Sequence, residues 1–300
     1  MKRIKGIIPP MVTPLTSEGQ IDREGSARIV EHLIGGGVGG IFILGTTGEA
    51  QSLTHGQRKE FVELVCSEVS GRVPVLVGIS DTSVEESISL AAVAERHGAA
   101  GVVAAAPYYL APSQQEMVEY FSHLADCVNL PLYLYNMPSC VKVFLETDTV
   151  KKLSEHPNIA GLKDSSANMT YFQKLLYMFR DKDFALYMGP EEMTAEAVMA
   201  GADGGINGGA NLCPELYTSM YKAAEEKDCA KVAELQEKIM AISTELYGIG
   251  KYGSSYLKGL KCALAETGLC NGYVAWPYRE FNGPEKARVR QALLKLGILE

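Results

Sequence analysis

Short β-rich apolar runs alternate along the chain with longer stretches whose apolar positions return every three or four residues. The runs at 6–12, 40–44, 73–79, 101–106, 130–135, 159–163, 184–188 and 203–206 read as eight strands. Helical periodicity marks 23–35, 56–69, 83–97, 114–127, 147–155, 168–180, 191–200 and 214–226. Helix starts carry their signals. Ser83 with Glu86 three residues on reads as a capping box, and Pro214 followed by Glu215 opens the helix at 214. Eight βα units in succession point to an α/β fold, a (β/α)8 TIM barrel rather than an open doubly wound sheet. Past residue 226 the strand pattern stops while helical patterns continue at 228–246, 253–266 and 284–297. The expected organisation is therefore a catalytic barrel over 1–226 and a C-terminal all-helical appendage over 227–300. Lys251, Lys258 and Lys261 in that appendage read as solvated or structural.

A barrel of this kind gathers its chemistry at the carboxyl ends of its strands. The predicted strand ends carry Thr46 and Thr47, Tyr108 and Tyr109, Tyr135, and Lys163. Lys163 closes the run Ile159-Ala160-Gly161-Leu162 and precedes Asp164-Ser165-Ser166. An amine at a buried strand end can attack a carbonyl and form a Schiff base. Keeping an ordinary lysine, with pKa about 10.4, neutral at pH 7 costs roughly 4–5 kcal/mol, within the 3–5 units that burial can shift a pKa. Strand side chains alternate, so Gly161 shares the Lys163 face and is expected to leave room for a substrate, while Tyr133 and Tyr135 share a face of the adjacent strand. Tyr135 would then stand beside the amine and carry protons, with a relay through a hydroxyl such as Thr47 and a second phenol such as Tyr109. The Gly45-Thr46-Thr47-Gly48 turn offers hydroxyls and backbone N–H groups for a carboxylate, which points to a 2-oxo acid. Glu49 reads as a structural carboxylate.

Composition narrows the partners. The 300 residues are 47% hydrophobic and carry a net charge of −8, with no basic face for a nucleic acid. Seven cysteines form no CxxC pair, which suits a reducing, cytoplasmic setting. The five histidines show no ligand spacing, so no metal and no cofactor is expected. Nothing is apolar for long enough to span a membrane.

These residues resemble the dihydrodipicolinate synthase and N-acetylneuraminate lyase family of class I, Schiff-base lyases. The likeness runs from Ile7 to about Leu269. It is carried by Pro10-Met11-Val12-Thr13-Pro14-Leu15, Gly45-Thr46-Thr47-Gly48-Glu49, Pro107-Tyr108-Tyr109, Tyr135-Asn136-Met137-Pro138, Gly161-Leu162-Lys163-Asp164 and Gly201-Ala202-Asp203-Gly204-Gly205-Ile206, with Lys163 lying 28 residues after Tyr135. The resemblance implies Lys163 as the imine-forming lysine, Tyr135 as the acid/base, Thr46 and Thr47 as carboxylate binders, and Thr47 also as a relay. It implies Tyr109 as a tyrosine reaching in from a neighbouring subunit, and a homotetramer built from dimers.

Two departures bear on the substrate. The synthases hold the aldehyde's carboxylate with an arginine where this chain has Cys140, and cysteine offers neither that charge nor its fork. The stretch Gly189-Pro190-Glu191-Glu192 looks more like the lyases, whose acidic residues there bind sugar hydroxyls, so Gly189, Glu191, Glu192 and Ile206 join Gly45 and Cys140 as expected substrate contacts. The resulting expectation is a pyruvate-type class I aldolase that cleaves a 2-keto-3-deoxy sugar acid to pyruvate and an aldehyde. A dehydratase using the same imine, an N-acetylneuraminate lyase and a dihydrodipicolinate synthase stay open as alternatives. A phosphate-binding barrel built on Gly204 to Gly209, and a non-catalytic 2-oxo acid sensor, are readings of a different class.

Overall fold

A computed structural model describes residues 3–300. Its eight strands are all parallel: β1 (Gly6–Ile7), β2 (Ile41–Ile43), β3 (Val75–Gly78), β4 (Gly101–Ala105), β5 (Leu132–Asn136), β6 (Ile159–Asp164), β7 (Ala185–Met188) and β8 (Gly204–Gly205). The sheet runs β1-β8-β7-β6-β5-β4-β3-β2. The seam between β1 and β2 is bridged by Pro10 and Phe42, where Phe42 N donates to Pro9 O and Met11 N to Phe42 O. The expected (β/α)8 barrel is the fold found.

The first strand is shorter than its apolar run because Pro9 and Pro10 have no N–H for a ladder. The last is two glycines. A side chain on Gly204 would collide with the Gly6 backbone, so the two strands pair only because nothing projects there.

The helices between strands are α1 (Arg23–Gly35), α2 (His55–Val69), α3 (Val84–Arg96), α4 (Gln114–Cys127), α5 (Pro138–Val141), α6 (Thr147–Leu153), α7 (Met169–Phe179), α8 (Thr194–Met199) and α9 (Pro214–Glu225). The single turn α5 follows β5 and was not expected. The helix expected from 191 starts as a 3₁₀ turn, Glu191–Met193, before α8. At the start of α3 only half of the expected capping box forms. Ser83 accepts from Glu86 N, while the Glu86 carboxylate lies 3.4 Å from His55 instead. Complete boxes form at Thr54 with Gln57 and at Ser113 with Glu116.

Three helices follow: α10 (Cys229–Leu246), α11 (Ser255–Glu266) and α12 (Gly283–Lys295). Val232, Leu235 and Ile239 of α10 share an apolar cluster with Tyr217 and Met220 of α9. Leu260, Ala263, Leu264, Val289 and Leu293 join the barrel's own core. The C-terminal helices are thus seated on the barrel by buried apolar contact, the dominant favourable term in such packing.

Candidate active site

Register decides what meets at the carboxyl end of the sheet. Leu132 pairs with Ile159, but Tyr133 pairs with Gly161, so Ala160 is an extra residue on β6. This bulge sets Tyr135 opposite Lys163 and Asn136 opposite Asp164. A strand slipped by one residue would turn its side chains to the other face, which makes the bulge a condition of the pairing.

Lys163 and Tyr135 are buried. The Lys163 Nζ lies 4.3 Å from the centre of the Tyr135 ring and 5.1 Å from that of Phe42, and among the described residues it makes no ion pair. The next residue, Asp164, is fully buried and receives Asn136 Nδ2 at 2.8 Å and Ser166 Oγ at 2.9 Å. Burial raises the Asp164 carboxyl above its ordinary pKa, against the pull of these donors. Since Asn136 and Asp164 directly follow Tyr135 and Lys163, their bond ties together the two strand ends that carry the expected chemistry.

A cavity of about 300 Å³ opens at Tyr135, with Phe42, Gly45, Thr46, Met137 and Cys140 also in its wall; Lys163 and Thr47 are not part of that wall, and Lys163 Nζ lies against the rings of two residues that are, Tyr135 and Phe42. Thr46 Oγ1 lies 3.4 Å from the Tyr135 hydroxyl. The hydroxyl facing Tyr135 is thus that of Thr46, whereas the expected relay residue, Thr47, lies 3.4 Å from the hydroxyl of Tyr256. Among the described residues no acceptor is paired with the backbone N–H of Thr46 or Thr47. Gly45 is required by packing, because a side chain there would strike the Phe42 ring.

Other expected contacts lie elsewhere. Glu191 is buried, and its carboxylate is taken by Gly209 N (2.8 Å), Tyr217 Oη (2.7 Å) and Tyr247 Oη (2.9 Å). Burial lifts its pKa to about 6 in spite of these donors. Glu192 receives Ser243 Oγ at 2.5 Å, turned toward α10. Neither carboxylate lines the cavity, so the expectation that they meet sugar hydroxyls is replaced by a structural role that joins the loop after β7 to α9 and α10. Gly189 and Ile206 lie in the frame behind the site. Gly189 N donates to Asp164 O, and Ile206, buried, donates its N–H to Met188 O at the end of β7. The room expected at Gly161 is absent, since a side chain there would collide with Ala185 of β7. Tyr109 is 83% exposed and lies outside its own chain's cavity, whereas Tyr108 lines it.

Several groups at the mouth had no signal in the sequence. Gln51 and Ser80 come from loops after β2 and β3, and Tyr278 comes from the segment between α11 and α12. Tyr256 stands on α11. Behind the turn, Glu49 and Lys261 form a fully buried pair at 2.5 Å, completed by Ala275 N to Glu49 (2.7 Å) and by Lys261 to Thr13 O (2.8 Å). Thr13 Oγ1 in turn donates to Gly48 O at 2.6 Å. The structural reading of Glu49 matches this arrangement, and of the two readings open for Lys261, solvated or structural, its full burial leaves the structural one.

A closed parallel barrel with a buried lysine beside a tyrosine at its strand ends belongs to the class of Schiff-base-forming lyases. More particularly, residues 3–296 match the dihydrodipicolinate synthetase family, and the chain belongs to it. The solved dihydrodipicolinate synthase of Bacteroides thetaiotaomicron is 50% identical, with a TM-score of 0.95 over 98% of this chain and 100% of that one. The 4-hydroxy-tetrahydrodipicolinate synthase of Methanopyrus kandleri is 33% identical over 99% of this chain and 98% of its own. YagE, a prophage protein of Escherichia coli K12 solved in complex with pyruvate, is 30% identical, with a TM-score of 0.94 over 99% of this chain and 100% of its own. YagE is provisionally named a 2-dehydro-3-deoxy-D-gluconate aldolase. The chain is accordingly an enzyme, a class I aldolase of this family, and its relatives divide between synthases and sugar-acid aldolases. Among the described residues no helix is long and apolar enough to cross a membrane.

Proposed function

We propose that the chain cleaves a 2-keto-3-deoxy sugar acid to pyruvate and an uncharged aldehyde. The observation that carries this reading is the wall of the cavity that Tyr135 lines, next to the buried Lys163. It presents Thr46, Gln51, Ser80, Tyr108, Cys140 and Tyr278 among apolar side chains, with no Arg, Lys, Asp or Glu. Such a wall offers hydrogen bonds to a hydroxylated fragment and no counter-charge to a second carboxylate.

In this reading the substrate carboxylate lies on the hydroxyls and N–H groups of Thr46 and Thr47. Lys163 Nζ attacks the oxo carbon, and the carbinolamine loses water to give an iminium. Tyr135, with Thr46 beside its hydroxyl, gives its proton to the hydroxyl that leaves the carbinolamine as water, and as phenolate then takes the proton of the β-hydroxyl. The bond between the α- and β-carbons breaks, its electrons pass into the iminium to form an enamine, and the aldehyde departs. Protonation of the α-carbon and hydrolysis then release pyruvate and restore the amine. Tyr109, exposed together with Leu110, is proposed to reach the site of a second copy within a homotetramer.

One observation favours a second reading, condensation of pyruvate with aspartate semialdehyde: the 50% identity to the Bacteroides synthase. A substrate panel separates the two. Pyruvate release from 2-keto-3-deoxy sugar acids, with little consumption of aspartate semialdehyde, is the expected result. Consumption of aspartate semialdehyde with no sugar-acid cleavage would replace the proposal by the second reading, and a dehydrated product of unchanged carbon count would replace it by a dehydratase. Cys140→Arg, which adds a bidentate cation to the wall, should shift preference toward the anionic aldehyde.

A further inference from the structure

Tyr256 has no part in the reaction just described, yet its hydroxyl stands beside the turn expected to hold the substrate carboxylate. The two threonines of that turn face two different phenols. Thr46 meets Tyr135 of β5, and Thr47 meets Tyr256 of α11, each at 3.4 Å. Position 256 is far from the barrel in sequence, and its place beside Thr47 is prepared from two sides. Its ring stands edge-on to Tyr247 with centroids 4.7 Å apart, and Tyr247 is anchored through its own hydroxyl to Glu191. Gly208, on the loop after β8, leaves the space that the phenol fills, since a side chain there would run into the Tyr256 hydroxyl.

Either hydroxyl can donate across this contact. Burial holds the Tyr256 phenol well above its ordinary pKa, so it stays protonated at neutral pH. A hydroxyl such as Thr47 can donate one proton and accept through its lone pairs. When the phenol donates to Thr47 Oγ1, the Thr47 proton is released from that pairing and can serve another acceptor. The Thr47 N–H has no partner among the described residues and is equally available.

We propose that Tyr256 is a positioning residue for 2-oxo acid binding: its hydroxyl donates to Thr47 Oγ1 and so presents the Thr47 proton to the substrate carboxylate. The proposal rests on the carboxylate cradle of the preceding subsection and adds to it a residue from outside the barrel strands. Because the carboxylate is unchanged through the reaction, the contact should act on binding rather than on the rate of the bound complex.

The test measures how pyruvate concentration governs borohydride-trapped adduct in the full-length protein, together with KM and kcat for the cleaved sugar acid. Tyr256→Phe keeps the ring against Tyr247 and removes only the hydroxyl. It should raise the half-saturating pyruvate concentration and KM about 3- to 10-fold, the range of one neutral hydrogen bond, with kcat changed less than about 2-fold. Thr47→Val should lose binding by itself, and adding Tyr256→Phe to it should cost nothing further. Gly208→Ala, whose side chain would meet both the hydroxyl and the Cζ of Tyr256 and so push the ring and its hydroxyl away together, should reproduce the KM effect and serves if Tyr256→Phe folds poorly. Unchanged half-saturation in Tyr256→Phe, or losses that multiply in the double variant, would overturn the proposal. A wild type that traps no pyruvate would overturn the cradle and this inference together, which distinguishes the two failures.

Discussion

The mouth of the barrel has two walls made in different ways. One is a row of strand ends, Thr46, Tyr135 and Lys163, each placed by its own strand. The other comes from the C-terminal region, where Tyr278 lines the cavity while Tyr256 and Lys261 of α11 reach back across more than 200 residues of sequence to hold Thr47 and Glu49 from behind. The first wall holds the groups that would change bonds, and the second fixes the turn on which a substrate would rest. Reactive geometry here is local to the sheet, while its rigidity is supplied from elsewhere.

That contrast predicts two kinds of damage, and the strand wall should show the larger. Lys163→Met should lower kcat by at least about 10³-fold while leaving the melting temperature near that of the wild type, since no ion pair is broken. Tyr135→Phe should cost about 10²- to 10⁴-fold in kcat, the usual worth of a positioned acid/base, and retain adduct formation only slowly. In the helical wall the effect should fall on stability. Glu49→Gln or Lys261→Met leaves one member of a fully buried pair without its partner, a loss of about 3–5 kcal/mol by denaturant unfolding. A strand-wall variant that unfolds the protein, or a Glu49 variant of unchanged stability and activity, would erase the distinction.

The smallest effect concerns Glu191, whose carboxyl is raised by burial to about 6 from an ordinary 4.5. Between those values the folded protein keeps a proton that the unfolded chain has already lost. Its contribution is therefore complete below pH 4.5 and declines as pH rises through 6. Comparing wild type with Glu191→Gln, the wild-type advantage should shrink by about 1–2 kcal/mol from pH 4.5 to pH 7. Parallel stability curves for the two proteins would contradict that account.

The same division marks what could be read in the sequence. Period-two alternation placed Tyr135 and Lys163 on neighbouring strands, because strand direction depends only on nearby residues, and the structure brings the two side chains together. It did not reveal the Ala160 bulge, since an extra residue in one strand shows only against its partner. Glu191 and Glu192 looked like sugar ligands because acidic residues at a strand end are ambiguous. Their partners Tyr217, Tyr247 and Ser243 lie on helices whose docking no periodicity encodes. Lys261 read only as solvated or structural, and neither its full burial nor its partner was legible. Tyr256 falls in an amphipathic helical pattern like any other half-buried aromatic, and nothing local separates it from one.

The most direct test of the central claim is to incubate the full-length protein with pyruvate and borohydride and map the modified peptide by mass spectrometry. The account predicts one reduced pyruvyl adduct, on Lys163, absent from Lys163→Met and slowed in Tyr135→Phe. An unmodified Lys163, or an adduct carried by another lysine, would contradict it.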